Sequence, residues 1–174
     1  MNDKNIYIDM DGVIADFFKA MEYRYGVEHW KSLNIEYTLK DIKGTSFFGQ
    51  LPKFDTSDAL VEYINTLTKG EWNILSSPLR NDYENSTFWK THWLDKNNYT
   101  PKRAIFTGRK ESYATGVAGV PNILVDDKPK SIGIVYQANE NGLVYLQNAI
   151  KNAFDFQEPV VYTEYIEKDA QLGR

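Results

Sequence analysis

The chain has 174 residues and a net charge of −4, from 24 acids against 20 bases. It is long enough to bury a sizeable core and too acidic to be organised around long nucleic acid. With no cysteine and only His29 and His92, disulfides, thiolate zinc and a histidine-rich metal centre are excluded. There is no run of about 18 apolar residues and no room for a signal peptide before the first strand, so a cytoplasmic protein without membrane contact is expected.

Ile6, Tyr7 and Ile8 read as a short buried strand. Asp9 and Asp11 stand where that strand should run out. Two carboxylates there repel each other and cost desolvation unless a cation or a proton sits between them. Gly12 supplies the backbone freedom to turn away at once. Val13, Ile14, Phe17, Phe18, Met21 and Tyr25 recur at helical spacing and predict a helix over 13–25, ended by Gly26. Residues 27–54 are irregular, with short helical pieces around 28–33 and 38–42, and read as a cap inserted after the first strand. Thr56 or Ser57 can cap the next helix, whose apolar face is Leu60, Val61, Ile64 and Leu67 and which Gly70 closes.

Residues 72–75 form the second predicted strand, ending at Ser76-Ser77-Pro78. A polar helix over 83–95 follows, with Phe88, Trp89, Trp93 and Leu94 inward. Residues 104–106 are a third strand with Gly108-Arg109-Lys110 at its exit, and 122–125 a fourth ending at Asp126-Asp127. A fifth strand is expected over 132–136 and a last helix over 143–154. Strands alternating with helices, each strand ending in polar residues, predict an α/β fold: a doubly wound parallel sheet with a small helical cap. The expected organisation is a core of residues 1–16 and 55–154, a cap over 17–54, and a polar tail over 155–174 without predicted structure. Aromatic residues, 14% of the chain, are frequent in 17–54. They suit either the filling of a small helical core or a pocket for a planar ligand.

In a parallel sheet the C-terminal strand ends share one edge. That edge would gather Asp9 and Asp11, Ser76 and Ser77, Lys110, and Asp126 and Asp127. Carboxylates from the first and fourth strands can hold Mg²⁺. Hydroxyls and an ammonium can hold a phosphoryl group against it. Such positioning and charge neutralisation are what phosphoryl transfer needs. Ser76 alone would read as a helix cap and Lys110 alone as a solvated charge; their joint order carries the signal.

The stretch Asp9-Met10-Asp11-Gly12-Val13-Ile14-Ala15-Asp16-Phe17 resembles the first motif of the haloacid dehalogenase (HAD) superfamily of phosphotransferases. Ser76, Lys110 and Leu124-Val125-Asp126-Asp127 resemble its three later motifs, in order, across residues 5–132. Ser76-Ser77-Pro78, Thr107-Gly108-Arg109-Lys110, Phe47-Phe48 with Leu51-Pro52, and Asp126-Asp127-Lys128-Pro129 look like the 5'(3')-deoxyribonucleotidase branch. Lys102, Arg103 and Arg109 compete with Lys110 for the third motif. Lys128 stands where that branch has arginine, losing a planar fork of donors, and residues 30–43 match nothing in its cap.

The resemblance implies a Rossmann-like HAD fold and a Mg²⁺-dependent phosphatase acting on (deoxy)ribonucleoside monophosphates. Asp9 would be the nucleophile and Asp11 the general acid, then base. Ser76 would bind phosphoryl oxygens and Lys110 would neutralise charge. Asp9, Asp126 and the backbone carbonyl of Asp11 would hold Mg²⁺, with Asp127 orienting a metal-bound water. Phe17, and Phe47 or Phe48, would stack on a base, with Ser77 and Lys128 as further substrate contacts. The expected partner is a small nucleotide; a homodimer stays open. Three other readings compete: a HAD phosphatase for another small phosphoester, a non-catalytic nucleotide-binding domain, and a CheY-like receiver. The receiver would need an aspartate at the third strand's end, where Thr107-Gly108 stands.

Overall fold

The computed structural model describes residues 4–116, 119–128 and 134–156, the last three by their backbone only. In chain order the elements are β1 (Ile6–Ile8), α1 (Phe17–Tyr25), α2 (Ile35–Asp41), α3 (Ser57–Thr68), β2 (Trp72–Ser76), α4 (Tyr83–Lys96), β3 (Arg103–Phe106), β4 (Ile123–Asp126), β5 (Ile134–Val135) and α5 (Glu140–Phe156). Short 3-10 turns cover Trp30–Ser32, Phe47–Gly49 and Lys110–Tyr113. The strands form one all-parallel sheet in the order β3-β2-β1-β4-β5. This is an α/β fold with the strand order of a Rossmann-like sheet.

β1, β2, β4 and β5 are buried, as parallel strands usually are, while the edge strand β3 is exposed at Arg103 and Ala104 and half-buried at Ile105 and Phe106. Ile6 and Ile8 join a large core with Trp72, Ile74, Ile123 and Val125. That core also takes Leu60 and Ile64 of α3, Trp93 of α4, and Leu146 and Ile150 of α5. Tyr7, Leu75 and Leu124 turn the other way and meet Ile105 and Tyr113 in a small second core. Among the described residues this second side receives the turn Lys110–Tyr113 but no α-helix. The helices expected on both faces of the sheet are therefore seen on one. No helix among the described residues is long and apolar enough to cross a membrane.

The helix predicted from Val13 starts at Phe17 instead. The amides of Val13, Ile14 and Ala15 all donate to the Met10 carbonyl, at 3.1, 3.0 and 2.9 Å, and Gly12 N–H closes back onto the Ala15 carbonyl. Gly12 holds φ at +84°, a region open to glycine at no steric cost. The apolar spacing of Val13 and Ile14 thus belongs to a buried tight loop. Asp16 then caps α1 by accepting from the Lys19 amide.

Two side chains expected to face inward are exposed: Phe88 and Leu67. The buried stripe of α4 runs through Ser86, Lys90, Trp93 and Leu94, which leaves Phe88 on the far side. Leu67 lies in the last turn of α3, at the rim of the core. Thr56 makes no side-chain cap bond to α3; Ser57 instead accepts from the Phe54 amide and donates to the Ile14 carbonyl. The last helix starts earlier than expected, at Glu140. Of the expected fifth strand, residues 132–133 lie outside the described residues, as do Pro129 and residues 157–174 of the expected tail.

Candidate functional site

From β1 the chain runs outward through β2 to β3 and then crosses back to β4 on the other side of β1, so the strand order reverses there. In open α/β sheets the crevice at such a switch point is where ligands bind. Asp9 and Asp11 follow β1 there, Ser76 ends β2 and Asp126 ends β4. A cavity of about 980 Å³ opens over this edge, and Asp9, Asp11, Lys110, Asp126 and Asp127 line its floor.

Lys110 reaches the floor from the turn after β3. Its buried ammonium lies 3.2 Å from Asp9 Oδ1 and donates to Asp126 Oδ2 at 2.9 Å. Burial by itself pulls this ammonium's pKa down. Asp9 and Asp126 outweigh that effect and leave it above the ordinary lysine value. The Met10 amide donates to Asp9 Oδ1 at 2.8 Å, and the Lys128 amide to Asp126 Oδ1 at 3.0 Å. Both carboxylates are thus oriented by the backbone as well as by Lys110.

One carboxylate oxygen each from Asp9, Asp126 and Asp127 lie within 4.8 Å of one another. These hard oxygen donors suit Mg²⁺ or a similar cation. Two buried ammonium groups, Lys90 and Lys110, stand beside these acids, and Lys40, Lys43, Arg80 and Lys128 also line the cavity. The Asp11 carboxylate stands outside the three-acid group. Its Oδ1 is buried and has no hydrogen-bond partner.

The side chain that the sequence reading missed is Lys90. It sits in the middle of α4 with 1% of its surface exposed. Its ammonium donates to Asp11 Oδ2 at 3.1 Å, Ser76 Oγ at 2.9 Å and the Ser77 carbonyl at 2.8 Å. The signal for it was its place on the Ser86–Lys90–Trp93 stripe, where a lysine is out of character for a buried helix face.

The remaining expected residues divide. Ser77 and Lys128 line the cavity, as do Phe17 and Phe48. Phe47 is not on the cavity wall; it packs edge-on against Phe17 and Phe48, at centroid distances of 5.7 and 5.4 Å. Phe17 and Phe48 stack on each other at 6.1 Å, and their exposures of 2% and 4% leave little ring surface for a ligand. Half-buried Ile35, Leu39 and Leu79 supply the rest of the apolar wall. Of the rival basic residues, Lys102 pairs with Glu71 and Arg103 donates to Asn73, both away from the cavity. Comparison of the sequence with models of protein families and with curated proteins finds no significant match.

Proposed function

We propose that this protein is a HAD-type phosphomonoester hydrolase that uses Asp9 as nucleophile, and that its substrates are nucleoside monophosphates. The observation that carries the reading is the cavity floor. Asp9 is held by the Met10 amide and Lys110 at a strand end, beside Asp126 and Asp127. An Asp9 oxygen would attack phosphorus, breaking the bond to the leaving oxygen and giving an aspartyl-phosphate. Asp11 would give a proton to that leaving oxygen. It would then take one from the water that hydrolyses the intermediate and restores Asp9. Lys110 would offset charge gathering on Asp9 and the phosphoryl oxygens. A divalent cation bound by Asp9 and Asp126 would supply further neutralisation of phosphoryl charge.

The small exposure of Phe17 and Phe48 favours a second reading of the substrate. A cavity with a largely aliphatic upper wall suits a sugar phosphate or another small ester as well as a flat base. A phosphate-release screen over nucleoside monophosphates and sugar phosphates, with Mg²⁺ and with EDTA, separates the two. Asp9→Asn keeps the shape and removes the nucleophile, and should lower turnover by several orders of magnitude on every substrate. Near-normal turnover of Asp9→Asn, or full activity in EDTA, would sink the mechanism.

A further inference from the structure

We propose that Lys90 is the positioning residue of this site, the group that fixes the Asp11 carboxylate and the Ser76 hydroxyl relative to each other. The inference rests on the phosphatase reading above and adds a residue that none of the strand-end motifs contains. An ammonium has three N–H donors and no acceptor. Lys90 directs them at Asp11 Oδ2, Ser76 Oγ and the Ser77 carbonyl, so its donors are matched one to one. The first two targets come from different strand ends, those of β1 and β2. The third anchors the lysine to the backbone. The same Nζ lies 4.9 Å from the centre of the Phe48 ring, which closes its remaining side with a favourable cation–π contact.

The placement has a chemical consequence. With Oδ2 held by Lys90 and Oδ1 buried without a partner, Lys90 sets the orientation of the Asp11 carboxylate where that residue lines the cavity. Ser76, fully buried at the end of β2, accepts from Lys90 through Oγ and so ties that strand end to Asp11. Lys90 therefore acts through Asp11 and Ser76 and need not touch the substrate.

The test is kinetic. Lys90→Met keeps the length of the side chain and removes the ammonium. With a nucleoside monophosphate kcat should fall about 10²-fold, the cost of displacing a reacting group by about 1 Å. KM should move less than about 3-fold, because what is lost acts in the transition state. With p-nitrophenyl phosphate, whose leaving group needs no proton, the loss should shrink to less than about 10-fold. In an Asp11→Asn background Lys90→Met should cost less than about 3-fold more, because the tethered carboxylate is already gone. A lysine that merely supported the fold would lower every rate by the unfolded fraction, and the two losses would multiply. Should Lys90→Met fail to fold, Lys90→Cys carries the test. The chain has no other cysteine, so this one can be aminoethylated in denaturant and refolded beside a wild-type control. Recovery of at least about a tenth of kcat supports the proposal, and failure to recover while the control does overturns it. Equal losses on both leaving groups, or turnover of Lys90→Met within about 3-fold of wild type, overturns it too. If the wild type releases no phosphate from any ester, the phosphatase reading fails separately. The crystal structure of Lys90→Met then decides: Asp11 and Ser76 rotamers that move support positioning, and unmoved rotamers refute it.

Discussion

Lys110→Met should cost the folded state about 3–5 kcal/mol, the usual penalty for removing one partner of a buried ion pair. Lys110 lies 3.2 Å from Asp9 and 2.9 Å from Asp126, and all three side chains are buried. Its loss takes this ammonium away from Asp9 and Asp126, which with Asp127 hold carboxylate oxygens within 4.8 Å of one another. For a domain of this size each kcal/mol moves Tm by about 2–4 °C, so the variant should melt about 6–20 °C below wild type. Mg²⁺ should raise its Tm more than that of wild type, because a cation that binds only the folded state stabilises it in proportion to its affinity. The sign with pH follows from the raised pKa of Lys110. A lysine whose folded pKa is raised contributes stability that is fully present below its unfolded value and lost as pH rises through the folded one. Between about pH 6 and about pH 9 the deficit of Lys110→Met should therefore be flat, since wild-type Lys110 stays charged throughout. Melting curves with and without Mg²⁺ across that range check all three points. A Tm change under about 2 °C, or an equal Mg²⁺ effect on both proteins, would show that Lys110 is not the counter-charge of the acidic floor.

Phe17→Ala should lower stability by about 3–5 kcal/mol, since the ring is nearly inaccessible and touches Phe18, Phe47 and Phe48. Turnover of a nucleotide and of a baseless ester should fall together; a selective loss of about 5–150-fold on the nucleotide alone would instead make the ring a base platform. Asp58→Asn should reduce stability above the ordinary aspartate pKa and leave it unchanged in acid. The Tyr99 hydroxyl first and Lys53 second hold the Asp58 carboxyl below that value, so its contribution is lost as pH falls through the lowered pKa. Asp58 is largely exposed, which limits the effect to under about 1 kcal/mol in urea titrations.

The strands and the strand-end acids were legible because each rests on a local rule. Ile6–Ile8 and Ile123–Val125 are short apolar runs bounded by polar residues, and a parallel sheet brings their ends to one edge without further information. The start of α1 was not legible. Val13 and Ile14 have helical spacing, but the Met10 carbonyl collects the amides that a helix would use, a tertiary feature that no periodicity reports. Phe88 was read by residue type and placed inside, and Lys90 was passed over. The helix face exposes the ring and buries the ammonium, because Lys90 sits four residues after Ser86 and three before Trp93, and Asp11 and Ser76 wait where its stem ends. A buried lysine becomes intelligible only once its partners are brought together by the sheet.

The same helix accounts for how the inserted segment is held over the site. Asp82, just before α4, accepts from the Gly44 amide at 3.0 Å, and Asn85 donates to the Thr45 carbonyl at 2.9 Å. Lys96 and Trp93 donate to the carbonyls of Gly49 and Leu51, at 2.6 and 2.7 Å. A side chain at Gly49 would strike Trp89, with 2.5 Å between a Cβ there and the ring, so close packing against α4 is built into that turn. Residues 44–51 are thus fixed to α4 along its length, and they carry Phe48 with them. Lys90, on the buried stripe of α4, meets Phe48 above and Asp11 below. One helix therefore sets the height of the cavity's aromatic wall relative to its acidic floor. A change that tilts α4 would shift Phe48 relative to Asp9 and Asp126, which the ends of β1 and β4 hold in place.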